Sequence, residues 1–176
     1  IYNTYSFFAL HANVDGFDTS TAQVPMERRP EIDRWIISVL NTLIQDVDRN
    51  LADYEPTRAA RAIADFVGYN LSNWYVRLNR KRFWGGGMTE DKLAAYQTLY
   101  QCLKTVALLM APVSPFYADK LYRDLTGCDA SVHLALFPEA DTAVIDADLE
   151  TRMRMAQSIT SMVLALRRKV NIKVRQ

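Results

Sequence analysis

Asn73, Arg77, Arg80 and Trp84 recur three or four residues apart in the stretch Asn73-Trp74-Tyr75-Val76-Arg77-Leu78-Asn79-Arg80-Lys81-Arg82-Phe83-Trp84. At 100° per residue they fall within a sector of about 60° on one helix flank. An amide, two guanidiniums and an indole in a row suit an RNA strand. Arginine forks hold phosphate bidentately, and the indole plane stacks on an unpaired base. Lys81 and Arg82 add charge; Arg82 lies about 140° or more around from that sector, where a peripheral phosphate contact is expected. No Asp or Glu falls between Phe66 and Thr89 to pair these cations. The competing reading lets a carboxylate on a neighbouring helix take Arg77 and lets Trp84 plug the bundle end.

Two further basic groups are candidates. Arg167-Arg168-Lys169, followed by Lys173 and Arg175, radiates charge around a helix end. Arg167 and Lys169 are candidate RNA contacts, whereas Arg168 reads more as a solvated end that complements the helix dipole. Arg58 and Arg61 open another helix close to Tyr54; cations are unfavourable at that end of the dipole, which hints at use.

Catalytic constellations are not evident. His11 and His133 are far apart in sequence and have no nucleophile context, and Cys102 and Cys128 form no CxxC pair, so neither a zinc site nor a triad is indicated. Gly85-Gly86-Gly87 is not followed by Lys-Ser/Thr and no strand precedes it, which excludes a nucleotide phosphate loop. No Glu-x-x-His pair supports a di-iron bundle.

The elements that must position these residues read as helices. Ile32, Trp35, Ile36, Val39, Leu40, Leu43, Ile44, Val47 and Leu51 make an amphipathic stripe from Pro30 to about Ala52. A second helix is predicted from Pro56 to about Arg82, with Ile63, Val67, Leu71, Trp74 and Leu78 inward, antiparallel to the first across the turn Asp53-Tyr54-Glu55. The triglycine ends it. Thr89 caps a third helix that stops at Pro112, and Ser114-Pro115 starts a shorter one to about Thr126. Ser131 to Phe137 alternates like a strand but has nothing to pair with, so an extended strap is expected. Asp146 opens a last helix to about Lys169, with Leu149, Met153, Ala156, Ile159, Val163 and Leu166 inward. Met153, Met155 and Met162 are expected as core filler. Thr4 to Ala12 reads as the end of an entering helix. The fold class is all-α, an antiparallel helical bundle covering roughly two thirds of the chain against a base rate of about one third. No βαβ alternation or repeat is present.

Composition agrees with a globular domain: 176 residues, 49% hydrophobic, 23% charged. The longest apolar run, Val106 to Val113, is far shorter than the roughly 20 residues of a membrane span, and no signal peptide is visible, so a reduced cytoplasmic protein is the expectation. The net charge of +1 hides an asymmetry. Residues 151–176 hold seven Lys or Arg and no acid, while the other 150 residues carry a balance of −6. Such clustering points to a local anionic partner. Starting at Ile1 and stopping just after a basic run, the chain reads as a piece cut from a longer protein.

The Asn73–Trp84 stretch resembles the anticodon-binding helical domain of class I aminoacyl-tRNA synthetases, of the isoleucyl type. Agreement continues in Asn3-Thr4-Tyr5-Ser6-Phe7-Phe8, Arg34-Trp35-Ile36, Tyr54-Glu55-Pro56-Thr57-Arg58-Ala59, Leu109-Met110-Ala111-Pro112, Pro115-Phe116 and Ile172-Lys173-Val174-Arg175-Gln176. It covers nearly the whole chain; the Trp-Tyr-Val-Arg part is specific to the branched-chain group, and the choice of isoleucine over valine, leucine or methionine rests on the flanking pieces. The resemblance implies a parent that joins isoleucine to its tRNA using ATP and magnesium and edits mischarged valine. The HIGH and KMSKS signatures of that chemistry are absent from these residues, so no catalytic residue and no cofactor is assigned here. What it implies for this chain is a grip on the anticodon stem and loop of isoleucine tRNA, a monomer, and a catalytic domain in the same parent chain. The implied division is 1–29 as a segment arriving from the catalytic domain, 30–146 as the anticodon-binding bundle, and 147–176 as its last helix and the start of a C-terminal region. A helical inter-domain or protein-interaction scaffold remains the other function class.

Overall fold

The computed structural model describes residues 1–173. All of its regular elements are helical, and no strand occurs among the described residues. The elements are α1 (Tyr2–Asp15), α2 (Glu31–Ala52), α3 (Pro56–Asp65), a π-helical segment (Phe66–Val76), α4 (Arg77–Phe83), α5 (Glu90–Met110), α6 (Pro115–Thr126) and α7 (Ala147–Lys169). Single 3₁₀ turns occupy Met26–Arg28, Val132–Leu134 and Thr142–Val144. The chain forms two compact units, Ile1–Ile145 and Asp146–Gln176.

Local chemistry sets the boundaries. Pro30 precedes α2 and Pro56 opens α3, where no amide donor is needed. Thr89 Oγ1 accepts the Lys92 amide and Asp146 Oδ1 the Leu149 amide, capping α5 and α7. Gly16 ends α1 in the left-handed conformation (φ 64°), and Gly85 and Gly86 (φ 68° and 70°) reverse the chain after α4. The strap after α6 holds one 3₁₀ turn and is tied down by Asp119, which accepts the Ser131 hydroxyl (2.6 Å) and the Val132 amide (2.9 Å).

In the first unit, α2 pairs with α3 and with the π segment, and α5 with α6, α2 and α4. Trp35, Ile36, Leu40, Tyr75, Phe83, Tyr96, Leu99 and Leu103 fill the space between them. α1 packs on α5, within the same unit.

Two expectations about burial are corrected. The helix from Pro56 to Phe83 is unbroken, but its middle turns are π-helical, with i→i+5 bonding and a wider turn than the α-helix. The inward face therefore recurs every four residues or so: Val67, Leu71, Tyr75, Asn79 and Phe83 are buried, Trp74 is half-buried, and Leu78 is 57% exposed. In α7, Leu149 is buried and Met153 partly so, whereas Ala156, Ile159, Val163 and Leu166 are exposed, as are Met155 and Met162. Among the described residues, the second unit holds no other helix or strand to cover them.

Candidate nucleic-acid interface

The residues singled out on the Trp-Tyr-Val-Arg helix separate into two groups. Asn73, Arg77, Arg80, Lys81 and Trp84 are all exposed, and none of their side chains has a hydrogen bond or ion pair among the described residues. Arg77, Arg80 and Lys81 ride on α4; Asn73 belongs to the π segment; Trp84 follows α4 in extended conformation and is 57% exposed, so it does not plug the bundle. The register shift that turns Tyr75, Asn79 and Phe83 inward leaves Arg77, Arg80 and Lys81 outward.

Arg82 belongs to the other group and corrects the expectation of a peripheral phosphate contact. Asp33, fully buried at the start of α2, takes its fork bidentately (2.7 and 2.9 Å). Asp91 on α5 accepts from Nε (2.9 Å) with its carboxylate and from Nη2 (2.8 Å) with its carbonyl, and Asn79 Oδ1 accepts from Nη1 (3.0 Å). All five guanidinium donors are thereby used. These ion pairs hold the Arg82 cation above its ordinary range, outweighing the opposing effect of burial, so it stays charged. The Tyr75 hydroxyl donates to Asp33 as well (2.8 Å), and burial pushes that phenol well up, which keeps it neutral and donating. The sequence reading allows a neighbouring helix's carboxylate for Arg77, not for Arg82; the partners of Arg82 arrive from α2 and α5, the third and second residues of those helices, positions that also read as ordinary dipole-facing acids.

A second buried ion pair was not foreseen. Lys92 is 3% exposed, and its Nζ meets Asp15 Oδ2 (2.6 Å) and the Gly85 carbonyl (3.2 Å), while Tyr96 donates to the same carboxylate. With Arg82–Asp91, this fixes the start of the Trp84–Thr89 loop on the first turn of α5.

Arg58 and Arg61 are exposed at the α2–α3 end, where Tyr54 is 92% exposed with a positive φ of 57° and Arg58 stands 3.9 Å from Glu55. α2 and the Pro56–Phe83 helix are antiparallel with Asp33 against Arg82, so this tip is at the opposite end from Trp84. Lys169 and partly buried Arg167 belong to the second unit, and Arg167 donates to the Lys173 carbonyl. Arg175 lies outside the described residues. Cys102 is buried, which pushes its thiol up and leaves it unreactive. No group of residues able to hold a metal occurs among the described residues, and no helix there is long and apolar enough to cross a membrane.

An all-helical domain with a cationic edge bearing an amide and an indole has the form of an RNA-recognition module. Residues 33–176 match the anticodon-binding domain of tRNA ligase, and the chain belongs to that family. It is 68% identical to an isoleucine–tRNA ligase of Bacteroides fragilis and 70% identical to that of Bacteroides thetaiotaomicron, over its whole length in both cases. Its identity to the isoleucine–tRNA ligase of Thermoplasma volcanium is 47% over 99% of the chain. The chain spans only 16% of the length of each of these relatives.

Proposed function

We propose that this chain is the tRNA-recognition domain of an isoleucine–tRNA ligase and binds the anticodon stem and loop of isoleucine tRNA. Asn73, Arg77, Arg80, Lys81 and Trp84 make the contact. The observation that carries it is the division of the cations: Arg82 is spent inside the fold, whereas Arg77, Arg80 and Lys81 stand exposed beside an exposed indole, with no partner among the described residues. Phosphates take the cations, and Trp84 offers a face to an unpaired base. The relatives' names support isoleucine as the amino acid. ATP, magnesium and the ligation chemistry belong to the rest of the parent chain, which acts as a cytoplasmic monomer.

Filter binding tests this with isoleucine tRNA and a tRNA of unrelated anticodon. Trp84→Ala is expected to lose roughly five- to 150-fold in affinity, the worth of one stacking platform. Arg77→Ala is expected to lose a similar factor, and both losses are larger for isoleucine tRNA. Unchanged affinity in a stably folded Arg77→Ala variant would overturn the assignment and favour a protein-docking scaffold.

A further inference from the structure

A cavity of about 350 Å³ opens between the loop after α1 and the outer face of α5, and no contact described so far uses it. This size is near the lower bound of small-molecule sites, about 300–1,000 Å³, and suits one ring system. Phe17, Tyr100 and Leu108 supply its apolar walls. Gln101, Lys104 and Thr105 on α5 and Thr19 on the loop face it with amide, ammonium and hydroxyl groups. Among the described residues none of those four side chains has a hydrogen-bond or ion-pair partner, and no carboxylate lines the cavity.

The walls are built and held. Gln97, 3% exposed, accepts the Val24 amide (2.8 Å) and donates to the Ala22 carbonyl (3.0 Å). Arg29, 6% exposed, donates to the Val24 carbonyl (2.9 Å) and to Thr98 (3.0 Å). These bonds fasten the loop to α5. Phe17 is stacked on Tyr96 at 5.2 Å, and Tyr96 meets Phe83, the residue before Trp84, at 5.0 Å. Two ring contacts thus separate the cavity wall from the end of the α4 edge. Burial and the neighbouring Tyr122 raise the Tyr100 phenol, so it remains a neutral donor.

Resting on the RNA-binding reading above, we propose that this cavity takes one unstacked nucleobase of the bound RNA loop. Phe17 and Tyr100 enclose the ring, Gln101 and Thr105 satisfy its polar edge, and Lys104 meets the adjoining phosphate. An amide that both donates and accepts suits a base edge, and an aromatic wall with an unpaired cation suits a nucleotide. Gln101, Lys104, Thr105 and Leu108 recur at i, i+3, i+4 and i+7, so α5 presents them on one face.

The test uses the whole chain and the hairpin RNA of the isoleucine tRNA anticodon arm, in its natural form and as a series with one loop nucleotide at a time made abasic. Gln101→Leu and Lys104→Met are compared with the wild type by fluorescence anisotropy, and their melting is recorded. Expected is one loop position whose abasic form binds the wild type about five- to 150-fold more weakly but costs the Gln101→Leu variant little. Lys104→Met is expected to weaken the natural hairpin without lowering the melting temperature. If both variants bind every hairpin as the wild type does while Arg77→Ala weakens them, the cavity holds no base and the α4 reading stands alone. If the wild type binds no hairpin, the RNA reading fails and this site with it.

Discussion

Arg77 and Arg82 share a helix and a functional group, and what separates them is the water each has lost. Arg77 keeps its hydration, so its charge contributes little to folding and is available to a ligand. The Arg82 side chain is 14% exposed against an Asp33 side chain at 0%, and removing one partner of such a pair strands the other charge. Arg82→Ala should therefore lower stability by about 3–5 kcal/mol in urea titration. Arg82→Lys should not restore it, because an ammonium cannot reproduce the two-sided fork. Arg77→Ala should stay within about 0.5 kcal/mol of the wild type. Wild-type melting of Arg82→Ala would show that the guanidinium is free to serve RNA after all. From the sequence, the cationic stretch was legible as a set, but not which member is spent internally. That depends on acids 49 residues before Arg82 and nine after it, in other helices.

At the scale of elements, prolines, caps and glycines made most boundaries readable, because each acts within a turn of its own position. The π segment was not readable in this way. It shifts the inward face from Trp74 and Leu78 to Tyr75, Asn79 and Phe83, and no residue type in Phe66–Val76 announces i→i+5 bonding. The α5 cavity face was also overlooked, although Gln97, Gln101 and Thr105 at four-residue spacing form a polar row beside Tyr100. Joints between elements carry their own prediction. Hydrogen bonds from Lys92 and then Tyr96 hold the Asp15 carboxyl below the usual carboxylate range, tying the end of α1 to α5. The unfolded chain takes up a proton at this residue at higher pH than the fold does. The stabilisation is thus complete above the ordinary value of about 3.9 and is lost as pH falls through the lowered one. Asp15→Asn should melt earlier than the wild type at neutral pH, and the gap should narrow as the pH is taken below about 4. A gap that stays constant with pH would show that the carboxylate's charge is not what the joint uses.

Across the whole molecule, charge is distributed against the average. The last 26 residues are purely basic in their ionisable side chains, the rest is net acidic, and in the first unit three exposed cations, Arg77, Arg80 and Lys81, stand together on α4. A polyanion approaching such a molecule is drawn to two places and repelled elsewhere, which orients it before any base is read. The two compact units allow the contributions to be separated, since a chain ending at Ile145 retains the entire α1–α6 bundle. With Arg77, Arg80, Lys81 and the Arg167–Lys169 region neutralising about four phosphates, log affinity for isoleucine tRNA should fall with log salt at a slope of about −3 in the intact chain. In the chain ending at Ile145 the slope should be about −2, with cooperative helical melting retained, because one phosphate contact is lost and the α4 edge remains. Equal slopes would remove Arg167 and Lys169 from the interface. A slope near zero in both chains would mean that the cations on α4 meet no phosphate, and that the exposed edge serves a protein partner instead.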